Sequence, residues 1–289
     1  MSHPETPSPR LIRAITPGWM WVPALIAVAA LAGPVIALGA ATDPSRLVGA
    51  LTAPAARDAV VLSLATSGIS TAICLFLGLP LAVLLHRLRG PGWRSAVLAV
   101  LRLVLVIPLV LSPVVSGLAL LHLWGRQGLA GQGLEALGLS VAYTPAAVVL
   151  VQVFVALPFL TVAALSSLEG VDGDLELAAA NSGASAAQIL RHVTFPLAAP
   201  GIVLGALLAF ARALGEYGAT ITFAGSVAGS TRTIPLQIEL AFNSSDPEAA
   251  LGLALLLIGF YLLVIGSAAL AVLLLRRGRE DGRAGRPLG

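Results

Sequence analysis

Apolar residues run along this chain in six long blocks, at about 19–41, 59–86, 96–121, 144–168, 198–224 and 249–275. At ~1.5 Å per residue, each block is long enough to cross the ~30 Å hydrocarbon core of a bilayer as a helix. Open strands are excluded, because lipid offers backbone N–H and C=O groups no partner and a helix satisfies them within the segment. The pattern predicts an all-α membrane protein with six transmembrane helices. A transmembrane domain, 19–275, is flanked by tails at 1–18 and 277–289, within which the polar stretches Met1–Pro9 and Gly278–Gly289 are expected to be mobile. The first block, with Arg10 and Arg13 before it and small residues at Leu38–Ala41, has the outline of a signal peptide. Its apolar run is too long for one, and an uncleaved helix is expected. No internal repeat is evident.

Composition agrees: 57% of residues are hydrophobic and 11% charged, against roughly 25% charged in a soluble domain. The net charge of +3 does not indicate nucleic acid, because the arginines cluster at the ends of the apolar blocks and there is no lysine. With six spans, Arg10, Arg13, Arg87, Arg89, Arg94, Arg102, Arg276, Arg277, Arg279, Arg283 and Arg286 all fall on one side. The opposite loops hold Arg46, Arg57, Arg126 and Arg232, so both termini are expected to be cytoplasmic. The lack of lysine also rules out a phosphate-cradling loop with its lysine in this chain. Cys74 is a lone cysteine, and His3, His86, His122 and His192 show no metal-ligand spacing. No nucleophile–base pair stands out, so no catalytic residue, metal or cofactor is assigned to the chain.

One cytoplasmic connection, 169–196, has an architecture of its own. Asp172 or Asp174 can cap a short helix running to Asn181, with acidic residues near its positive end. Gly183 suits the left-handed position that closes such a helix. Ser185 and Gln188 match a capping box opening a second helical turn, and Pro196 marks the start of the fifth span. The surface formed by Leu175, Leu177, Ala178, Ala179 and Ala180 either docks on another protein or packs on its own bundle.

This stretch resembles the EAA loop of ATP-binding-cassette importer permeases, whose pattern is Glu-Ala-Ala, three residues, Gly, nine residues, Ile, one residue, Leu-Pro. Ala178 and Ala179 match the alanines, Gly183 the glycine, Val193 and Phe195 the Ile and Leu positions, and Pro196 the proline. The glutamate position departs: it holds Leu177, with Glu176 one residue earlier. The resemblance implies a type I importer permease fold with Asp174 to Gln188 as the coupling contact. Within it, Asp174, Glu176, Leu177, Ala178, Ala179, Gly183, Ala184 and Ser185, together with Pro196 beyond, would meet or support a cytoplasmic ATPase. It also implies a second copy of the chain, two ATPase subunits that carry the ATP and magnesium, and an extracytoplasmic oxyanion-binding protein.

The end of the fifth block reads Ala-Arg-Ala-Leu-Gly-Glu-Tyr-Gly-Ala-Thr-Ile-Thr-Phe-Ala-Gly, residues 211–225. Arg212 and Glu216, four apart, share a helix face, and intramembrane charges either pair or mark a pathway. Thr220, Thr222, Ser112 and Ser116 offer hydroxyls, and Gly117 and Gly218 could open backbone amides, for an oxyanion that must be held weakly to be conducted. Each of these is also a common helix-packing residue. The 211–225 run and Gly229–Leu236 look like the molybdate permease subunits, relatives of the sulfate permeases that share the Gly-Glu-Tyr-Gly core. That resemblance implies molybdate as the imported anion, with sulfate, thiosulfate or tungstate as alternatives. A secondary carrier and a membrane-embedded enzyme are the competing classes. Ile234–Phe242 is too short to cross and is expected to be interfacial or re-entrant.

Overall fold

The computed structural model describes residues 18–42, 49, 52–88, 92–244 and 246–284, with Trp93 and residues 272–284 described by their backbone alone. Every regular element among the described residues is helical. In chain order they are α1 (Trp21–Ala40), α2 (Pro54–Arg87), α3 (Trp93–Val110), α4 (Pro113–Trp124), α5 (Gly131–Ala136) and α6 (Pro145–Glu169). There follow α7 (Gly173–Asn181), α8 (Ala186–Ile189), α9 (Phe195–Leu214), α10 (Gly218–Phe223), α11 (Ile234–Asn243) and α12 (Pro247–Ala284). Among the described residues, five helices are long and apolar enough to cross a membrane, and the bent pair α3–α4, counted as one, makes a sixth span. Arg10, Arg13, Arg46, Arg89 and Arg286 lie outside the described residues.

The bundle is organised around α6, which packs against α2 on one side and α9 on the other. Between apolar helices in lipid, association depends on close approach, which small residues permit. A Cβ on Gly78 would come 2.7 Å from Leu160 of α6, and one on Gly201 of α9 would collide with Ser167. Polar side chains add specific ties. Ser70 donates to Gln152 Oε1 at 3.0 Å, the Gln152 amide donates to Ser67 at 3.4 Å, and Ser63 accepts the Ile234 N–H at 2.8 Å. The last bond caps α11 from a different helix, because Thr233 at its N-terminus makes no capping bond of its own. Outside this core, α1 has no buried residue.

The third block does not form one straight span. Helices α3 and α4 meet at 117°. The residue before a proline is driven from helical to extended backbone, and Ser112, which precedes Pro113, has φ −62° and ψ 148°. The fifth block differs at both ends. Its helix starts at Ala186 and runs through a π turn, Leu190–Thr194, into α9, so Pro196 lies inside it. Proline lacks an N–H and its ring clashes with the carbonyl four residues back; the wider π turn immediately before Pro196 displaces that carbonyl row. At its other end the helix stops at Leu214, and the chain restarts as α10 at Gly218. The last helix continues to Ala284, so most of the expected 277–289 tail is helical. It opens as its sequence suggests, with Asp246 Oδ1 accepting the Ala249 N–H at 3.1 Å.

Candidate functional site

The loop 169–196 builds a helix–turn–helix at one end of α6. Asp172, not Asp174, is the cap: its carboxylate accepts the Asp174 N–H at 3.0 Å. Asp174 and Glu176 occupy the first turn of α7, where the helix dipole favours negative charge. The helix is closed by Gly183 at φ +85°. The Gly183 N–H reaches the Ala180 carbonyl at 2.9 Å and the Ala184 N–H reaches Ala179 at 3.1 Å, a paired capping turn that requires the left-handed residue. Ser185 and Gln188 then exchange both capping-box bonds and open α8.

No residue of α7 is buried, and Leu175 and Leu177 are 48% and 59% exposed. Ala179, Gly183, Ala184, Gln188 and His192 line an open hollow of ≈ 450 Å³ on one side of the turn. On the other side, an open hollow of ≈ 520 Å³ is bordered by Glu176, Leu177 and Ala180 and by His86 and Arg87 at the end of α2. Glu176 itself turns inward and accepts a hydrogen bond from the hydroxyl of Thr194, which is buried. Of the two alternatives left by the sequence, then, the apolar side chains Leu175 and Leu177 face outward while Glu176 holds the loop to its own bundle.

The opposite half of α9 leads to the second group of candidate residues. Arg212 Nη1 donates to Glu216 Oε2 at 2.5 Å, and the other carboxylate oxygen accepts the Ala219 N–H at 2.8 Å. Glu216 is 2% exposed. It spans the break, pairing with the helix before it and capping the helix after it. The hydroxyl of Tyr261 fills the space that a Cβ at Gly215 would need. Both carboxylate oxygens are thus committed within the chain.

The hydroxyls divide in the same way. Thr222 donates to the Gly218 carbonyl at 2.8 Å, and Ser112 caps α4 by accepting the Val115 N–H at 3.4 Å. Ser116 and Thr220 are buried with no hydrogen-bond partner. The two glycines allow close approach of neighbouring segments. A Cβ on Gly117 would lie 2.6 Å from Thr222 Cβ and 2.9 Å from the Ala219 carbonyl, and one on Gly218 would lie 2.6 Å from Pro113. They let the two short helices α4 and α10 cross in contact, sealed by Leu120, Phe223, Val148 and Val151.

Three features of this arrangement are missed by the sequence reading. The buried Ser63–Ser67–Ser70 edge bound to Gln152 had a signal, since serines four and three apart lie on one helix face and Gln152 is a solitary amide in an apolar span. The Tyr261 plug and the Glu176–Thr194 bond join distant segments and left no local signal. No group of three His, Cys, Asp or Glu side chains that could hold a metal occurs among the described residues.

A bundle of apolar helices with an exposed, doubly capped loop at one end and broken helices within it defines a multi-pass membrane protein. The chain belongs to the family of binding-protein-dependent transport system inner membrane components, which it matches over residues 75–279. It is 44% identical over 263 residues to the molybdenum transport system permease protein ModB of Mycobacterium tuberculosis, covering 91% of this chain and 94% of that one. It is 34% identical over 225 residues to the sulfate transport system permease protein CysW of Synechococcus elongatus, covering 78% and 76%. Among solved structures, a bacterial ABC transporter that imports the acidic polysaccharide alginate superposes with a TM-score of 0.68 at 18% identity, covering 93% of this chain and 99% of that one. The chain is therefore a transmembrane subunit of an ABC transporter in the inner membrane, with the type I importer permease fold, and not itself an enzyme. The secondary-carrier and membrane-enzyme readings are set aside.

Proposed function

We propose that the chain is the permease of an ATP-driven molybdate importer. Two copies form the pathway, two cytoplasmic ATPase subunits hold the ATP and magnesium, and an extracytoplasmic binding protein delivers the anion. The observation that carries the reading is the α7–α8 loop: a short helix fixed at both ends, with Leu175 and Leu177 facing outward and no residue buried in its own bundle. Such an element is a lever that another protein can grip, and the long helix starting at Ala186 extends directly from it into the membrane. Opening and closing of the ATPase pair then biases the bundle between inward- and outward-facing states. The termini lie on the same side as the loop, in the cytoplasm.

Molybdate rather than sulfate is favoured by the higher identity and fuller coverage of the molybdenum permease. The site chemistry is in keeping with a dianion that is passed on rather than held. Arg212 is neutralised by Glu216, which leaves hydroxyls instead of a ring of cations. The test is uptake of labelled molybdate by vesicles containing the full complex and its binding protein. ATP-dependent uptake that excess sulfate leaves intact is the expected result. Uptake abolished by sulfate would move the assignment to the sulfate branch, and competition by tungstate alone is compatible with the molybdate reading.

A further inference from the structure

Resting on the permease reading above, we propose that Glu176 is a positioning residue: its bond to Thr194 is the strap through which movement of the docking helix reaches the fifth span. The motif expected of this loop places glutamate at position 177, and here it stands one residue earlier. One residue turns a side chain about 100° around a helix. Leu177 therefore points outward, and the carboxylate of Glu176 points back to the bundle.

Several observations make this bond a mechanical link and not incidental packing. Helix α7 buries no residue, so it is not wedged in place by apolar contacts. An open hollow of ≈ 520 Å³, bordered by α7 and by His86 and Arg87 of α2, leaves room for the helix to tilt. The Glu176–Thr194 bond ties the side chain of α7 directly to the π turn. Thr194, at the receiving end, is 1% exposed and is the last residue of the π turn. That turn is the weak point of the helix, with a widened bond from the Phe195 N–H to the Leu190 carbonyl and Pro196, which has no N–H, immediately after it. A pull on Thr194 thus acts where the helix yields most easily. The far end of the same helix carries Arg212 and its bond to Glu216, which caps α10 at the crossing with α4.

The test measures molybdate taken up per ATP hydrolysed by the complete complex in vesicles, together with co-purification of the ATPase. Glu176→Ala and Thr194→Val are each expected to lower the ratio roughly ten-fold. The double variant should be no worse than the poorer single one, and ATPase co-purification should persist in all three. Glu176→Gln keeps the acceptor and Thr194→Ser keeps the donor, so both should retain most of the ratio. The strap is overturned if Glu176→Gln is as damaging as Glu176→Ala while Thr194→Val is silent, since the carboxylate would then act as a charge toward the partner. It is equally overturned if Glu176→Ala or Thr194→Val releases the ATPase. Absence of ATP-linked molybdate uptake in the unaltered complex would instead defeat the permease reading on which the strap rests.

Discussion

Gly183 in the docking loop and Gly117 at the α4–α10 crossing are required for opposite reasons. Gly183 sits at φ +85° with no heavy atom within 4 Å of where a Cβ would stand, so the backbone alone demands glycine. Gly117 has ordinary helical backbone, but a Cβ there would strike Thr222 at 2.6 Å and the Ala219 carbonyl at 2.9 Å, so space alone demands it. The loop is held by local bonds among neighbours in sequence and meets solvent. The crossing is held by close contact between segments a hundred residues apart and is sealed by apolar side chains. In the proposed cycle the loop is the part that transmits the movement of the ATPase.

The largest effect is expected at the crossing. Glu216→Ala removes the buried partner of Arg212 and the cap of α10 together, a loss of about 3 kcal/mol readable as a lower unfolding temperature of the complex in detergent. Removing Arg212 as well should restore only part of this, because the Ala219 N–H remains without its acceptor. Full restoration would mean that the pair alone matters and the cap does not. Gly117→Ala should follow, at about 2 kcal/mol from overpacking against backbone, with transport lost in proportion. At the loop, Gly183→Val should cost only about 1–2 kcal/mol of left-handed strain, yet uncouple hydrolysis from uptake while the protein still inserts. Gly183→Asn, which tolerates the left-handed region, should be milder. Uptake equal to the unaltered protein in Gly183→Val would break the comparison, since the geometry of the turn would then carry no function.

How much could be read beforehand follows the same division. The Asp172 cap, the left-handed Gly183 and the Ser185–Gln188 box are written within a few residues of one another, and each forms in the structure. The six apolar blocks are legible because burial in lipid needs only composition and length. The breaks are a different matter. Pro113, which bends a span by 117°, follows the capping residue Ser112, whereas Pro80 and Pro158 follow leucines and lie within continuous helices. In so apolar a block that one serine is a faint signal. Which proline breaks its helix depends on what packs beyond it, here α10 against α4. Arg212 and Glu216 were recognisable as a pair by spacing, but the service of Glu216 to α10 was not, because the sequence reading carried that helix unbroken through Gly215. The π turn was hidden for a related reason: Pro196 looks like a start when the helix before it is unseen.

If the exposed face of α7 is the grip for the ATPase, a single thiol placed there reports it. Cys74 is the only cysteine of the chain and is fully buried, so Leu177→Cys creates one reactive position on an otherwise silent background. Labelling by a membrane-impermeant maleimide is measured in inside-out vesicles with and without the ATPase subunits. Rapid labelling without the ATPase and strong protection with it is the predicted result. Equal labelling in both would contradict the account.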